Sequence, residues 1–457
     1  MNAPRQFGSW RAFAYERFVL PWAERASCGD LRARLREWRT LEELSPEAIA
    51  EIQWLRLQRL LHHAYEQCPF YRSRFEMAGL HPSRLRAPND LERLPVLTRD
   101  DLRLHYDEMI AANYRGRRLY PAATGGTTYT PVRIVRDEEA LRSKIAAQWR
   151  WNAWAGYRPG DRILYLWGAT SDYAAQPGWR WRLYDSGLMR RRWLPASRLN
   201  AAGFEAFRLA LNRHRPQAVI AYPTPLALWA ESLEAGEKPF HRPNTVICTA
   251  EPLLAAQRRL IERVFGCPVQ EQYGSRELGI VAGSCRHGQM HLNSLLAHVE
   301  YAALEERAAG KLRQLIFTDL VNFALPLIRY RINDCAEGPE PGPCACGASY
   351  PRFGPVQGRV GDVFHLPNGD LVPGVTLTNR VLQVCPGLRK TQVVQESLRR
   401  FCVRYVPGPE FSPADLGKLQ ANLAKFFPPD VDWRFEAVGE IPREPSGKTR
   451  FCISHVA

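Results

Sequence analysis

Cys267-Pro268-Val269-Gln270-Glu271-Gln272-Tyr273-Gly274-Ser275-Arg276-Glu277-Leu278-Gly279 is the stretch whose reading decides the fold. Val269 to Tyr273 alternates apolar and polar as a short strand does. Gly274 then predicts a turn, where backbone that can reach φ > 0 is useful. An aromatic ring, a hydroxyl, a guanidinium and a carboxylate crowd around that glycine. A strand that ends this way presents polar groups at the carboxyl edge of a sheet, where open α/β sheets bind ligands. Tyr273 offers a flat face for a base, and Glu277 a hard oxygen for Mg²⁺. A strand end closed by a salt-bridged turn accounts for the same residues, so the neighbouring segments decide.

Upstream, Leu253–Phe265 reads as a helix, Thr245–Thr249 as a strand, Leu226–Glu234 as a helix and Ala218–Tyr222 as a strand. Before them come a helix over Phe204–Arg213, a buried strand over Arg162–Trp167, and a helix over Asp137–Ala155 ended by Gly156. This alternation predicts an α/β fold with mainly parallel sheets flanked by helices. Downstream, Ala297–Tyr301, Leu312–Asp319 and Leu327–Ile332 read as strands with no helices between them, which predicts a small, barrel-like antiparallel β subdomain. Pro and Gly crowd between Gly338 and Pro355, and the chain restarts after Gly358 as an α+β unit. At the amino end Ser45-Pro46 reads as an N-cap with Pro at the first helical position, opening a helix over Glu47–Gln67 that Cys68-Pro69 stops. Thr98-Arg99-Asp100-Asp101 resembles a capping box, with Asp where Glu or Gln is usual. Residues 1–110 are expected to form a helical layer on a large domain, 111–361 its core, and 362–457 a small C-terminal domain.

A length of 457 residues suits two or three domains, and a hydrophobic content of 45% with 13 Trp supports a sizeable core. No stretch approaches the roughly 18 consecutive apolar residues of a membrane span. The first residues carry scattered charges, unlike a signal peptide, and the 11 Cys stand mostly singly, so a reducing cytoplasm is expected. The net charge of +15 (62 basic minus 47 acidic) is spread along the chain without a zinc-finger or RNA-recognition signature. A surface that handles polyphosphates fits it, and no nucleic-acid partner is expected.

Thr124-Gly125-Gly126-Thr127-Thr128 precedes Tyr129-Thr130-Pro131. Hydroxyls and glycines so packed make a loop whose donors can surround phosphate oxygens, or a plain surface turn. The stretch has no Gly-Lys-Ser/Thr and is not a Walker A loop. Near the other end, Ile441–Arg450 reads as a proline-stiffened turn presenting Lys448, a compact cation suited to a developing anion, or as a basic tail. Between them, Thr318-Asp319-Leu320 leads to Ala324-Leu325-Pro326-Leu327-Ile328-Arg329-Tyr330-Arg331-Ile332-Asn333-Asp334. A strand here projects Arg329 and Arg331 to one side and places Asp334 at its end, where a carboxylate can hold ribose hydroxyls. Gly358-Arg359-Val360-Gly361-Asp362 follows.

Taken together and in this order, these stretches resemble the adenylate-forming superfamily of acyl-CoA synthetases, in its phenylacetate–CoA ligase and capsular polysaccharide branch. The resemblance runs from about Leu57 to Arg450. It implies ATP-dependent activation of an aryl or acyl carboxylic acid as acyl-AMP, followed by transfer to the coenzyme A thiol. A carrier protein, a sugar or an amine is the alternative acceptor, and an altered nucleotide-binding homologue the alternative to an enzyme. It implies ATP, Mg²⁺ and coenzyme A as ligands and leaves a homodimer open. Thr124, Gly125, Gly126, Thr127 and Thr128 become the phosphate loop, with Thr127 also catalytic. Glu251, Tyr273, Gly274 and Ser275 line the nucleotide, Asp334 binds the ribose with Arg359 in support, and Tyr222, Ala250 and Gly279 line the acyl pocket. Glu277 holds Mg²⁺, Asp362 is the hinge to a mobile C-terminal domain, and Lys448 bridges the reacting carboxylate and ATP. The sequence departs from the family at Tyr129, where Gly is usual, and at Gly361-Asp362, where relatives often carry paired acids.

Cys344-Ala345-Cys346-Gly347 lies in the Pro/Gly stretch, and Cys285-Arg286-His287-Gly288-Gln289-Met290-His291 lies upstream. Two pairs of sulfur and nitrogen ligands far apart in sequence are how structural tetrahedral zinc is usually built. The preferred set is Cys285, His291, Cys344 and Cys346, with His287 as substitute. Free thiols in a loop and histidines lining the acyl pocket are the other account.

Overall fold

In the computed structural model the described residues are 15–19, 21, 31–123, 132–158, 160–167, 179, 183–196, 201–236, 239–303, 312–359, 363–368, 371–373, 387–408, 411–424, 427–442 and 452–456. Thr124–Thr128, Tyr129, Asp362 and Lys448 lie outside them, and Arg359 is described through its backbone alone.

The amino-terminal layer holds α1 (Leu31–Glu42), α2 (Pro46–Gln67), α3 (Pro69–Met77) and α4 (Arg99–Leu104). Ser45 Oγ accepts from Ala48 N at 3.2 Å, capping α2 as its sequence foretells. Leu57, Leu60, Leu61 and Ala64 bury one face of α2, each leucine contributing about 1.5–3 kcal/mol. Thr98 and Asp101 close the capping box of α4: Asp101 N donates to Thr98 Oγ1 at 3.1 Å, and Thr98 N to Asp101 Oδ2 at 2.8 Å.

A hairpin of β1 (Tyr120–Ala123) and β2 (Arg133–Arg136) leads into α5 (Glu138–Trp154). Asp137 Oδ1 caps α5 by accepting from Ala140 N at 2.7 Å. The main sheet then forms from β3 (Ile163–Trp167) and β4 (Arg191–Pro195), followed by α6 (Ala201–His214). After α6 come β5 (Ala218–Ala221), α7 (Pro223–Ala235), β6 (Thr245–Thr249), α8 (Ala255–Phe265) and β7 (Val269–Ser275). It is completed by β8 (Gly279–Ser284) and β9 (Met290–Leu292), in the order β4-β3-β5-β6-β7-β8-β9. Pairing is parallel from β4 to β7 and antiparallel from β7 to β9. Phe207, Trp229, Phe265, Leu164, Val219 and Val246 pack α6, α7 and α8 on one sheet face, while Tyr165, Ile220 and Ile247 occupy the other. From β3 the chain steps to β4 on one side and then to β5 on the other, which puts a topological switch point at the carboxyl ends of β3 and β5.

Several elements depart from expectation. β4, β8 and β9 are not legible in the sequence, because Arg191-Arg192 and the glycines of 279–284 carry no strand signal. β7 runs through Gly274 to Ser275, and the positive φ belongs to Gly279 (+80°) instead. Gly274 is required for a different reason: a Cβ there would lie 2.2 Å from the Gly279 carbonyl oxygen.

β10 (Ala297–Ala303), β11 (Leu312–Asp319), β12 (Tyr330–Glu337) and β13 (Val356–Arg359) form a four-stranded antiparallel sheet in that order. The third strand starts later than its sequence suggests. Leu327 and Ile328 sink into the core, and Arg329 adopts φ 53° with Nη2 at 2.8 Å from Glu300 Oε2. Arg329 is therefore a buried structural cation ahead of the strand, and Asp334 lies within β12 rather than at its end.

The C-terminal unit pairs β14 (Val363–His365) with β15 (Leu371–Pro373). Its main sheet holds β16 (Leu388–Gln395), β17 (Arg400–Pro407), β18 (Asp432–Ala437) and β19 (Cys452–Ser454), ordered β18-β17-β16-β19, with α9 (Pro413–Leu423) against it. Phe364, Val393, Phe401, Leu419 and Phe427 make its separate core. Among the described residues no helix is long and apolar enough to cross a membrane.

Candidate active site

The carboxyl ends of β3, β5, β6 and β7 gather most of the described candidate residues. Trp167 ends β3 and Tyr222 follows β5, their rings 4.9 Å apart, so an aromatic pair marks the switch point. Ala250, just after β6, holds φ 71°, a left-handed conformation that costs a non-glycine residue of order 1 kcal/mol or more and concentrates at functional sites. Glu251 beside it turns to the start of α7, where its Oε2 accepts from Thr224 N at 3.3 Å.

Tyr273, on β7, donates its hydroxyl to Asp334 Oδ2 on β12 at 2.8 Å, joining the parallel sheet to the antiparallel one. Its ring stacks on Phe353 at 5.6 Å. Asp334 pairs with Arg359 across β12 and β13, so those two backbones meet. Ser275 Oγ accepts from Leu278 N at 3.1 Å and tightens the turn that carries Glu277.

Glu277 is only 3% exposed, and its carboxylate is already engaged. Arg99 Nη2, from α4, lies 3.2 Å from Oε1, and Tyr330 donates its hydroxyl to the same oxygen at 3.3 Å. Burial, and then Glu277 itself, push the Tyr330 hydroxyl up, which keeps it a donor. The backbone of the same turn is held by other side chains. Lys144 Nζ, on α5, donates to the Glu277 carbonyl at 3.0 Å and to Asp319 Oδ2 at 2.5 Å. Arg136 Nη2, at the end of β2, donates to the Arg276 carbonyl. Burial pulls the Lys144 ammonium down from its ordinary range, and the Asp319 carboxylate opposes that pull. Gly279 rests on the Lys144 stem, where a Cβ would meet three of its carbons at 3.4 Å.

Arg99, Tyr330, Arg136, Lys144 and Asp319 were missed as site residues. One signal was available for Lys144. It is among seven lysines in an arginine-rich chain, and it shares the helical stripe of Ala140, Ala147 and Trp151, all buried. Arg99 gave no such signal, since the capping box around it is a sufficient account of its surroundings.

A second cluster lies at the far edge of the main sheet. The ligand atoms of Cys285, His291, Cys344 and Cys346 all fall within 4.8 Å of one another, whereas His287 is exposed beside Arg286. Cys285 Sγ and Cys344 Sγ are 3.8 Å apart, and Cys346 Sγ and His291 Nε2 are 3.5 Å apart. Tetrahedral zinc with bonds of about 2.3 Å to sulfur and about 2.0–2.1 Å to nitrogen has edges of about 3.8 and 3.5 Å, so both distances fit. His291 Nδ1 lies 2.9 Å from the Tyr350 carbonyl, which makes Nδ1 the donor and leaves the Nε2 lone pair toward the sulfurs.

Residues 364–455 match the family model of the CapK C-terminal domain. Over 411 residues the chain is 24% identical to Protein CapK of Staphylococcus aureus, covering 89% of each. It is 27% identical to the phenylacetate–coenzyme A ligase of Thermus thermophilus, covering 76% of this chain and 78% of that one. A solved 2-hydroxyisobutyryl-CoA ligase, crystallised in the postadenylation state with its acyl-AMP, superposes with a TM-score of 0.70 at 20% identity over 91% of each chain. With the parallel sheet, its switch point and the Tyr273–Asp334 contact in place, the chain shares the fold of an acyl-adenylate-forming ligase and is similar along most of its length to the phenylacetate–coenzyme A ligases and CapK.

Proposed function

We propose that this chain activates a carboxylic acid with ATP as an acyl-adenylate and passes the acyl group to the thiol of coenzyme A. The observation that carries the reading is Tyr273 bonded to Asp334 beside Glu277 at the carboxyl edge of the sheet, in a chain whose relatives are named phenylacetate–coenzyme A ligases. An oxygen of the acid attacks the α-phosphorus, the bond to the bridging oxygen breaks, and pyrophosphate leaves. The thiolate sulfur then attacks the acyl carbon and AMP departs.

Asp334 would accept the ribose hydroxyls, oriented by Tyr273 and backed by Arg359. Tyr273, Gly274, Ser275 and Glu251 would line the nucleotide, and Thr124–Thr128 would surround its phosphates. Tyr222, Ala250 and Gly279 would shape the acyl pocket. Glu277 would hold Mg²⁺, which when bound neutralises phosphate charge. Lys448 would bridge the acid and the α-phosphate, and Asp362 would be the pivot of a C-terminal domain of residues 362–457 turning on a large domain of 1–361. A cytoplasmic location fits these ligands.

Cys285, His291, Cys344 and Cys346 would hold a structural zinc. Four protein ligands close a tetrahedron and leave no open position for catalysis.

A second reading moves the acyl group to a carrier-protein thiol, a sugar or an amine. The match of residues 364–455 to the CapK C-terminal domain favours it, because that domain would meet the acceptor. Carboxylate-dependent ATP–pyrophosphate exchange over aryl, fatty and hydroxy acids tests both readings. Exchange with no acid of the panel sinks them together, and exchange without coenzyme A-dependent AMP release selects the second.

A further inference from the structure

The turn that carries Glu277 is gripped through its backbone by two side chains from the segment 133–154. Arg136 donates to the Arg276 carbonyl and Lys144 to the Glu277 carbonyl, so two consecutive peptide oxygens each meet a cation, Arg136 half-buried and Lys144 buried. Such a grip fixes where the Glu277 side chain starts. Neither cation bonds the Glu277 carboxylate, which Arg99 and Tyr330 engage instead.

The grip is itself anchored. Lys144 is 5% exposed and Asp319 1%. The second Asp319 oxygen accepts from Val321 N at 3.2 Å, and the Asp319 N–H donates to the Leu327 carbonyl at 2.9 Å. The ammonium is therefore held between β11 and the turn, and its stem forms the floor under Gly279. A buried ion pair is weak evidence for stability, because desolvation offsets much of the attraction, and an apolar pair of similar volume can serve as well. A backbone carbonyl as third partner makes this pair more than a filler: it converts a costly arrangement into a positional one.

We propose that Lys144, with Asp319 behind it, and Arg136 are positioning residues for Glu277, presenting its carboxylate at one place for the metal that accompanies ATP. This rests on the adenylation reading. Residues that orient a metal ligand typically change metal affinity roughly 10–100-fold when removed.

Lys144→Met alone leaves Asp319 buried without its cation and is expected to destabilise the fold, so the decisive variant is Lys144→Met/Asp319→Asn. The methionine keeps the stem under Gly279, and the asparagine oxygen keeps the Val321 N–H satisfied. Arg136→Gln is the companion. Mn²⁺ binding in the presence of ATP is measured by electron paramagnetic resonance, beside metal-free ATP binding, Mg²⁺-dependent pyrophosphate release and thermal melting. Expected are a cooperative melt near wild type, Mn²⁺ affinity weaker by roughly 10–100-fold, and metal-free ATP binding within about twofold of wild type. A folded double variant with wild-type Mn²⁺ affinity overturns the proposal, because the pair is then core packing alone. Weakened Mn²⁺ binding supports it even if wild type releases no pyrophosphate with any acid. That last result overturns the ligase reading instead.

Discussion

Two clusters of candidate metal-binding side chains lie along the main sheet and are compensated in opposite ways. Glu277 is surrounded by protein cations: Arg99 on its carboxylate, Lys144 and Arg136 on the carbonyls of its turn. Cys285, Cys344, Cys346 and His291 instead face one another, with a sulfur–sulfur contact of 3.8 Å and a sulfur–nitrogen contact of 3.5 Å. The first cluster is stable without a metal and must exchange partners to take one. The second brings soft donors together, and nothing but a shared cation would make three thiolates good neighbours. Burial drives the Cys346 thiol up to about 12, so without a metal it stays protonated. On the proposed reading, the first site would take a travelling ion and the second a resident one.

The largest effect is expected at the cysteine cluster. Purified protein should carry about one equivalent of zinc, and Cys344→Ser or Cys346→Ser should lose it and melt well below wild type, because binding energy there is folding energy. Metal analysis of wild type that finds none erases the contrast between the clusters. Chelation that strips the ion without moving the Tm would make the site incidental to the fold.

Next in size is Lys448, a cation supplied by the C-terminal stretch rather than by the core. If it meets charge that develops only as the acid attacks phosphorus, kcat should suffer more than KM. Lys448→Ala should slow adenylation roughly 10²–10³-fold. Thioester formation from supplied acyl-AMP should survive if the domain turns about Asp362. Equal damage to both half-reactions would rule out such a turn.

How far the sequence led follows from the same contrast. The clustering of Cys285, His291, Cys344 and Cys346 was legible because candidate metal donors stand in paired spacings, Cys-x-Cys and Cys-x₅-His. That Tyr273 and Asp334 come together was legible through their order along the chain, although Asp334 lies within its strand and not at its end. The cations around Glu277 were not, because each comes from a distant element and its local surroundings already account for it: a capping box for Arg99, a strand end for Arg136, a helix for Lys144. Gly274 shows the same limit. The sequence suggests a turn with φ > 0 there, whereas Gly274 lies inside the strand and is required by the approach of Gly279 across a hairpin that the sequence did not reveal.

A smaller effect is expected from Arg99→Gln. It removes the competing cation from Glu277 Oε1 and leaves Tyr330 in place, so the apparent Mg²⁺ requirement should fall, by up to about tenfold if the pair is worth about 1.4 kcal/mol. The direction is what matters. A raised requirement would mean that Arg99 holds the carboxylate ready for the metal instead of competing with it.

A last contrast separates two imidazoles, the buried His291 and the half-buried His298, by pH. Burial, with a cation nearby, lowers both: Arg352 beside His291 and Arg329 beside His298. His291 can be held neutral by a metal as well, whereas His298, opposite Thr318 on β10, has only its burial and Arg329. The His298 imidazole falls from 6.5 to about 4. Between those values the unfolded chain binds the proton and the folded chain does not, so stability is fully present above pH 6.5 and is lost as pH falls toward 4. The loss should be about 3 kcal/mol over that window. His298→Gln should flatten that part of the curve in urea melts taken from pH 7 to 4, equally with and without added zinc. A slope that disappears only when zinc is removed would assign the acid sensitivity to His291 and its thiolates, and His298 would then be a bystander in the core.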